Sequence, residues 1–190
     1  MFRTVFDAVF PPQCASCAAV GSGLCERCVP SGGSIDRSLA SLHVRALGTY
    51  DGALRSAILA VKDGRRDVAA ALGVRMASLY APGQRWVPVP SSRARVRTRG
   101  IDGVRIIARR AAGDAMCIAL RRAGGDAQRG RSRTERISAS GRFTCLADAR
   151  GLDLVLCDDV CTTGSTLEDC ARELRAAGAR VVAAVVVALA

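Results

Sequence analysis

The chain has 190 residues, 49% of them apolar, and a formal net charge of +11 from 28 basic against 17 acidic side chains. That length holds one substantial core and a small appendage rather than two full domains, and the apolar content excludes general disorder. No apolar run is long enough for a membrane-spanning helix, while the arginine excess suits polyanions such as a phosphorylated small molecule or a nucleic acid, solvated faces being the alternative.

Phe2, Val5, Phe6, Val9 and Phe10 recur at helical spacing before Pro11-Pro12, which predicts a short docking helix. One Arg, an internal Asp and no small-residue cleavage site argue against a secretion signal, so the expectation is a cytoplasmic chain. Cys14-x-x-Cys17 and Cys25-x-x-Cys28 follow, two identical pairs separated by seven residues that include Gly21 and Gly23. Each pair can bite one ion and the glycines let the second fold back, which is the pattern of a closed four-thiolate structural zinc site. Disulfides and redox-active thiolates are the alternatives, and a reducing compartment disfavours the former. The other five cysteines, at 117, 145, 157, 161 and 170, lack chelating spacing. His43, the only histidine, is a poor sole ligand or base.

A Gly/Ser break at Ser31 to Ser34 divides the expected N-terminal helix and knuckle, residues 1–34, from the main domain, residues 35–190. Val44 to Tyr50 reads as a strand, Gly52 to Val61 as a helix with Leu54, Ile58 and Val61 inward, and Lys62 to Arg66 as a charged turn. Asp67 is placed to cap a second helix through Tyr80, and Trp86 to Pro90 is a strand leading into a loop. Gly124 to Gly141, with Gln128, Arg133 and Arg136 among small polar residues, is too polar for a core element.

Leu154 to Cys157 is a continuous apolar run suited to a central parallel strand, and it meets Asp158 and Asp159 directly. Thr162, Thr163, Gly164, Ser165 and Thr166 then supply hydroxyls and amides where a helix opens, a setting that favours phosphate. Ser165-x-x-Glu168 and Thr166-x-x-Asp169 both have capping-box form, Gly178 supplies a stop, and Arg180 to Leu189 reads as another buried strand. This is a strand-loop-helix-strand unit of a doubly wound sheet, whose ligands bind outside the carboxyl ends of the strands. Two acids and a hydroxyl-rich loop in that place read as a grip for a ribose 5-phosphate.

The thirteen positions from Leu154 to Thr166 resemble the signature of type I phosphoribosyltransferases, which bind phosphoribosyl diphosphate (PRPP). The resemblance implies an α/β fold with a parallel sheet flanked by helices. It gives Asp158 and Asp159 the ribose hydroxyls and makes them the catalytic acids. It gives Val160 and Thr162 to Thr166 the 5-phosphate loop, and Ser91, Ser92 and Arg93 the diphosphate. Magnesium is expected to accompany PRPP, held mostly by water and substrate oxygens.

Adding the cysteine pairs after Pro-Pro, Tyr50-Asp-Gly, Val87-Pro-Val-Pro90, Arg99-Gly100 and Gln128-x-Gly-x-Ser-x-x-x-Arg136, nearly the whole chain is similar to the ComF family. Those are phosphoribosyltransferase-like proteins with an N-terminal zinc finger, associated with DNA uptake in competence. The resemblance makes Gly124 to Gly141 a hood over the site, a solvated linker being the alternative. It implies transfer of a phosphoribosyl group to an acceptor that the sequence does not name. Where that family has Arg-Gly-Phe-Asn-Gln, this chain has Arg99-Gly-Ile-Asp-Gly103. That departure favours the rival reading, a non-catalytic regulatory module, or one binding single-stranded DNA, that retains a PRPP pocket.

Overall fold

In the computed structural model, residues 11–79, 81–122, 142–146 and 149–190 are described. The expected docking helix at the N-terminus and the loop residues Gln128, Arg133 and Arg136 lie outside them. The remainder is a five-stranded sheet flanked by helices, with a small antiparallel ribbon packed on one face and the cysteine segment joined to the helices of the other.

The strands are β1 (Ile35–Ser38), β2 (His43–Thr49), β3 (Arg85–Pro88), β6 (Asp153–Cys161) and β7 (Arg180–Leu189), in the order β1-β2-β7-β6-β3. β2, β7, β6 and β3 run parallel, and only the edge strand β1 is antiparallel to its neighbour. β4 (Leu120–Arg122) and β5 (Phe143–Cys145) form the ribbon. The helices are α1 (Gly52–Lys62), α2 (Arg66–Met76), α3 (Arg93–Arg99), α4 (Gly103–Ala112) and α5 (Ser165–Ala176).

β6 and β7 are apolar on both faces because both faces are covered. Val155, Cys157, Val185 and Val187 pack with Ala57, Ile58, Leu72 and Ile107 of α1, α2 and α4. Leu154, Leu156, Ala184 and Val186 face Leu167, Cys170 and Leu174 of α5, with Phe143 of the ribbon beside them. This is the two-residue alternation of a strand applied to a three-layer sandwich. Burial pushes the Cys157 and Cys170 thiols up, in keeping with packing roles.

The strand and helix boundaries differ from the sequence reading in instructive places. β6 continues through both acids to Cys161, because parallel pairing with β7 persists through Cys161 and Leu189. α2 starts at Arg66, and Asp67 lies inside its first turn as an ion partner of Arg65 rather than as the cap. Neither capping box forms at α5, whose N-cap is Gly164 at φ 80°. The Glu168 carboxylate instead accepts from the Ser41 N–H and hydroxyl, and Asp169 pairs with Arg142 and Arg172. Both acids are thus spent on tertiary contacts. Gly178 stops α5 as read, at φ 87°.

Candidate functional site

β3 and β6 are adjacent and parallel, with Pro88 opposite Cys157, and the Val89 N–H donates to the Cys157 carbonyl at 2.8 Å. The chain leaving β3, which carries Ser91, Ser92 and Arg93, therefore departs from the same sheet end as Asp158 and Asp159. Ser92 is the N-cap of α3 and accepts from the Arg95 N–H at 3.3 Å, while Arg93 is the first helical residue. The Ser91 hydroxyl lies 3.4 Å from Asp102 Oδ1. All eleven residues named for PRPP thus gather at one rim of the sheet, on two neighbouring strands and their exits.

The acids are held by their own backbone. The Asp159 N–H donates to Asp158 Oδ1 and the Val160 N–H to Asp159 Oδ1, each at 2.8 Å. Burial pushes the Asp158 carboxyl well above the usual carboxylate range, and the Asp159 charge beside it adds to the effect. A carboxyl buried beside a like charge is a place where an added positive charge is stabilising, and the Lys62 ammonium already acts in that sense on Asp158.

A residue that the sequence reading left in a charged turn completes this corner. Lys62, the last residue of α1, brings its ammonium to 3.7 Å from Asp159 Oδ2 and 5.9 Å from the centroid of the Tyr50 ring. Tyr50 was singled out as part of a motif but carried no role. Helical spacing does extend the α1 pattern to position 62; its partner on β6 is a tertiary contact that no local pattern encodes.

The loop between β6 and α5 is only Thr162 to Gly164. Arg37 ties down its start by donating to the Thr162 carbonyl at 2.8 Å and to the Ala190 carbonyl at 3.0 Å. Ser165 closes the turn, its N–H donating to Thr163 Oγ1 at 3.4 Å. Gly164 lies beneath the Leu39 side chain and at positive φ, and it is the backbone conformation that favours glycine there. The first-turn amides of α5 have no intrahelical acceptors, and Thr163 and Ser165 are exposed beside them. Cys161 just upstream is buried, and that burial raises its thiol pKa despite nearby Arg37. A dipole-activated thiol is thus not what the strand end provides.

The four N-terminal cysteines converge, their Sγ atoms all within 4.8 Å of one another and Cys17 Sγ 3.6 Å from Cys25 Sγ. Sulfurs at the corners of a tetrahedron about 2.3 Å from a zinc ion stand just under ~4 Å apart, so the set fits a closed zinc site. Burial pushes the Cys14 thiol up, but the backbone around Cys17, Cys25 and Ser16 outweighs it and brings the pKa down to about 6. Cys28 is pushed up to about 12 by the Cys17 and Cys25 sulfurs. Four crowded thiolates need a cation, and the closed shell would leave no ligand position for water.

Two arginines, Arg75 of α2 and Arg65 just before it, fasten this segment to the core. Arg75 donates to the Val29 carbonyl at 2.9 Å and pairs with Glu26 at 2.7 Å. Arg65 donates to the Gln13 carbonyl at 2.7 Å. Leu24 and Val29 join the helical core cluster beneath. No helix among the described residues is long and apolar enough to cross a membrane.

A family model described as the phosphoribosyl transferase domain matches residues 96–190, which include β6, the threonine loop, α5 and β7. No curated protein matches the chain in sequence. Among solved structures it is similar to phosphoribosylpyrophosphate synthetase from Mycobacterium smegmatis at 19% identity and a TM-score of 0.32. That likeness covers 63% of this chain and 32% of the synthetase, so this chain spans about a third of that protein. With half its length matched by the family model, from α3 through the acid pair to the last strand, the chain belongs to the phosphoribosyl transferase domain family.

Proposed function

We propose that the protein is a ComF-type phosphoribosyltransferase that binds PRPP with magnesium at the β6–α5 rim. The observation that carries this is the direct run from Asp158 and Asp159 on β6 into the Thr162–Gly164 turn and the start of α5. Asp158 and Asp159 hold the ribose hydroxyls; Val160 and Thr162 to Thr166 hold the 5-phosphate; Ser91, Ser92 and Arg93 face the diphosphate. Carboxylates beside the sugar stabilise the positive charge that grows on the ribose as diphosphate leaves. Magnesium, when bound, would neutralise the diphosphate, and the carboxylate oxygens of Asp158 and Asp159 are the hard ligands that suit such a cation. Gln128, Arg133 and Arg136 belong to the hood of this reading. Zinc occupies the Cys14, Cys17, Cys25, Cys28 knuckle as a structural ion, residues 1–34 and 35–190 act as appendage and main domain, and a role in DNA uptake follows from the family likeness.

The second reading is a non-catalytic module that keeps the PRPP pocket and contacts single-stranded DNA. The segment Ile101 to Gly103 favours it. Ile101 is buried and Asp102 is spent as the N-cap of α4, accepting from the Arg105 N–H at 3.2 Å. Neither side chain is left to read an acceptor.

Titration calorimetry with PRPP and magnesium, on the native chain and on Asp158→Asn/Asp159→Asn, tests the site; equal heats from both sink it. Incubation of PRPP with nucleobase and amine acceptors, following diphosphate release, separates enzyme from module. Single-stranded DNA binding without any release favours the module.

A further inference from the structure

Four arginines converge on a cavity that contains none of the residues named for PRPP. Arg66 of α2 and Arg105, Arg109 and Arg110 of α4 line a space of about 700 Å³. Arg109 is engaged, pairing with Asp114 at 3.2 Å and donating to the Gly113 carbonyl at 3.2 Å. Arg66, Arg105 and Arg110 make no side-chain hydrogen bond or ion pair among the described residues. The stem of Arg110 rests on Gly73, which lets α4 pack closely against α2. The one acid in the wall, Asp102, is occupied by the Arg105 N–H and the Ser91 hydroxyl.

A solvated arginine face is convex and has acids interspersed; this one is concave, and three of its cations have no counter-charge among the described residues. Like charges gathered in a cleft focus a positive potential that an anion relieves. Guanidinium forks match phosphate oxygens two at a time, so several of them suit a chain of phosphates better than a single one. The remaining wall is apolar, formed by Ala70, Ile106 and Met116. Inorganic polyphosphate has no use for that surface, whereas a planar base packs against a thioether and an aliphatic side chain and stacks on a guanidinium. The volume falls within the range of small-ligand sites.

We propose that this α2–α4 cavity is a second ligand site, for a nucleoside polyphosphate, separate from the β6–α5 rim. It does not depend on what the rim binds. Arg66 and Arg105 are exposed, so replacing them leaves the fold intact.

The test is titration calorimetry of the full chain with ATP, run in parallel on Asp158→Asn/Asp159→Asn and on Arg66→Glu/Arg105→Glu. The expected result is saturable one-to-one binding that survives in the first variant and weakens by about tenfold or more in the second. Tripolyphosphate is expected to bind more weakly than ATP, and an oligothymidylate arm distinguishes a free nucleotide from one within a strand. PRPP titrated into the same three proteins reports on the rim independently. Absence of ATP binding, its loss in the aspartate variant, its persistence in the arginine variant, a tripolyphosphate affinity equal to that of ATP, or binding of the oligonucleotide alone would each overturn the proposal.

Discussion

The Lys62 ammonium at the end of α1 lies 3.7 Å from Asp159 Oδ2 on β6. It offsets part of the negative charge at the acid pair before any ligand arrives. Replacing it by Met leaves that charge to oppose a polyanionic substrate. Lys62→Met is expected to weaken PRPP binding about two- to fivefold without magnesium, the scale of a partly exposed ion pair. Saturating magnesium should narrow the gap, because the metal supplies the missing positive charge. Calorimetry with and without the ion checks this, and a gap unaffected by magnesium contradicts it.

Gly164 is the hinge between acids and helix. Any side chain there meets Leu39 and must adopt φ near 80°. Gly164→Val is expected to cost about 1–3 kcal/mol of stability from the backbone conformation alone. Urea unfolding with an unchanged m-value reads that cost as a lower midpoint. An unaltered midpoint would mean that the turn relaxes freely.

The contrast between β6 and α5 shows what the sequence carries and what it does not. β6 and β7 were legible because strands buried on both faces need unbroken apolar runs, and Leu154 to Cys157 and Val181 to Leu189 have them. The cysteine pairs and the acid pair were equally plain, since their chemistry is local. The caps of α5 were misread because Glu168 and Asp169 prefer partners distant in sequence, Ser41 and Arg142. α3 went unassigned because Arg93, Arg95, Arg97 and Arg99 leave Val96 as its one large apolar residue, whereas α4 does carry a helical stripe, Val104, Ile107 and Ala108 opposite Arg105, Arg109 and Arg110, that the sequence reading passed over. β1 follows a Gly/Ser break and is exposed along most of its length, so nothing in its composition marks an edge strand.

Arg65 donates to Asp67 and also to the Gln13 carbonyl, which couples α2 to the cysteine segment. The Arg65 hydrogen bonds hold the Asp67 carboxyl below its usual range, outweighing burial. Its contribution is therefore full above the unfolded pKa of about 4 and fades as pH falls through the lower folded value. The pair is more than a third exposed, so screening limits it to about 0.5–1 kcal/mol. The native chain should lose Tm more steeply than Asp67→Asn between about pH 5 and pH 3, converging by a few degrees. Parallel curves would show that the pair contributes nothing.

The knuckle should bind one zinc per chain. Cys14 is the ligand most enclosed by backbone amides, with the Cys25 N–H donating to its sulfur at 3.4 Å. Cys14→Ser is expected to reduce zinc to background and to abolish the fall in Tm that a chelator causes in the native protein. Metal analysis after gel filtration checks the first, and thermal scans with and without chelator check the second. Zinc retained in full by Cys14→Ser would reject this ligand set.

The departure at Ile101-Asp-Gly103 is tied to its surroundings rather than free to revert. A side chain at position 103 would run into Val61 of α1, the residue that precedes Lys62, so Gly103 is what lets α1 and α4 approach. Asp102, by contrast, caps α4 through its carboxylate, a task that Asn performs as well. Introducing the residues of the ComF pattern one at a time should therefore split. Asp102→Asn is expected to change stability by less than about 0.5 kcal/mol. Gly103→Gln should cost about 1–3 kcal/mol by overpacking and should displace Lys62 from Asp159. Urea midpoints measure the first effect, and the magnesium dependence of PRPP binding measures the second. If Gly103→Gln keeps both native values, Val61 yields without moving Lys62, and the segment at 101–103 is independent of the acid pair after all.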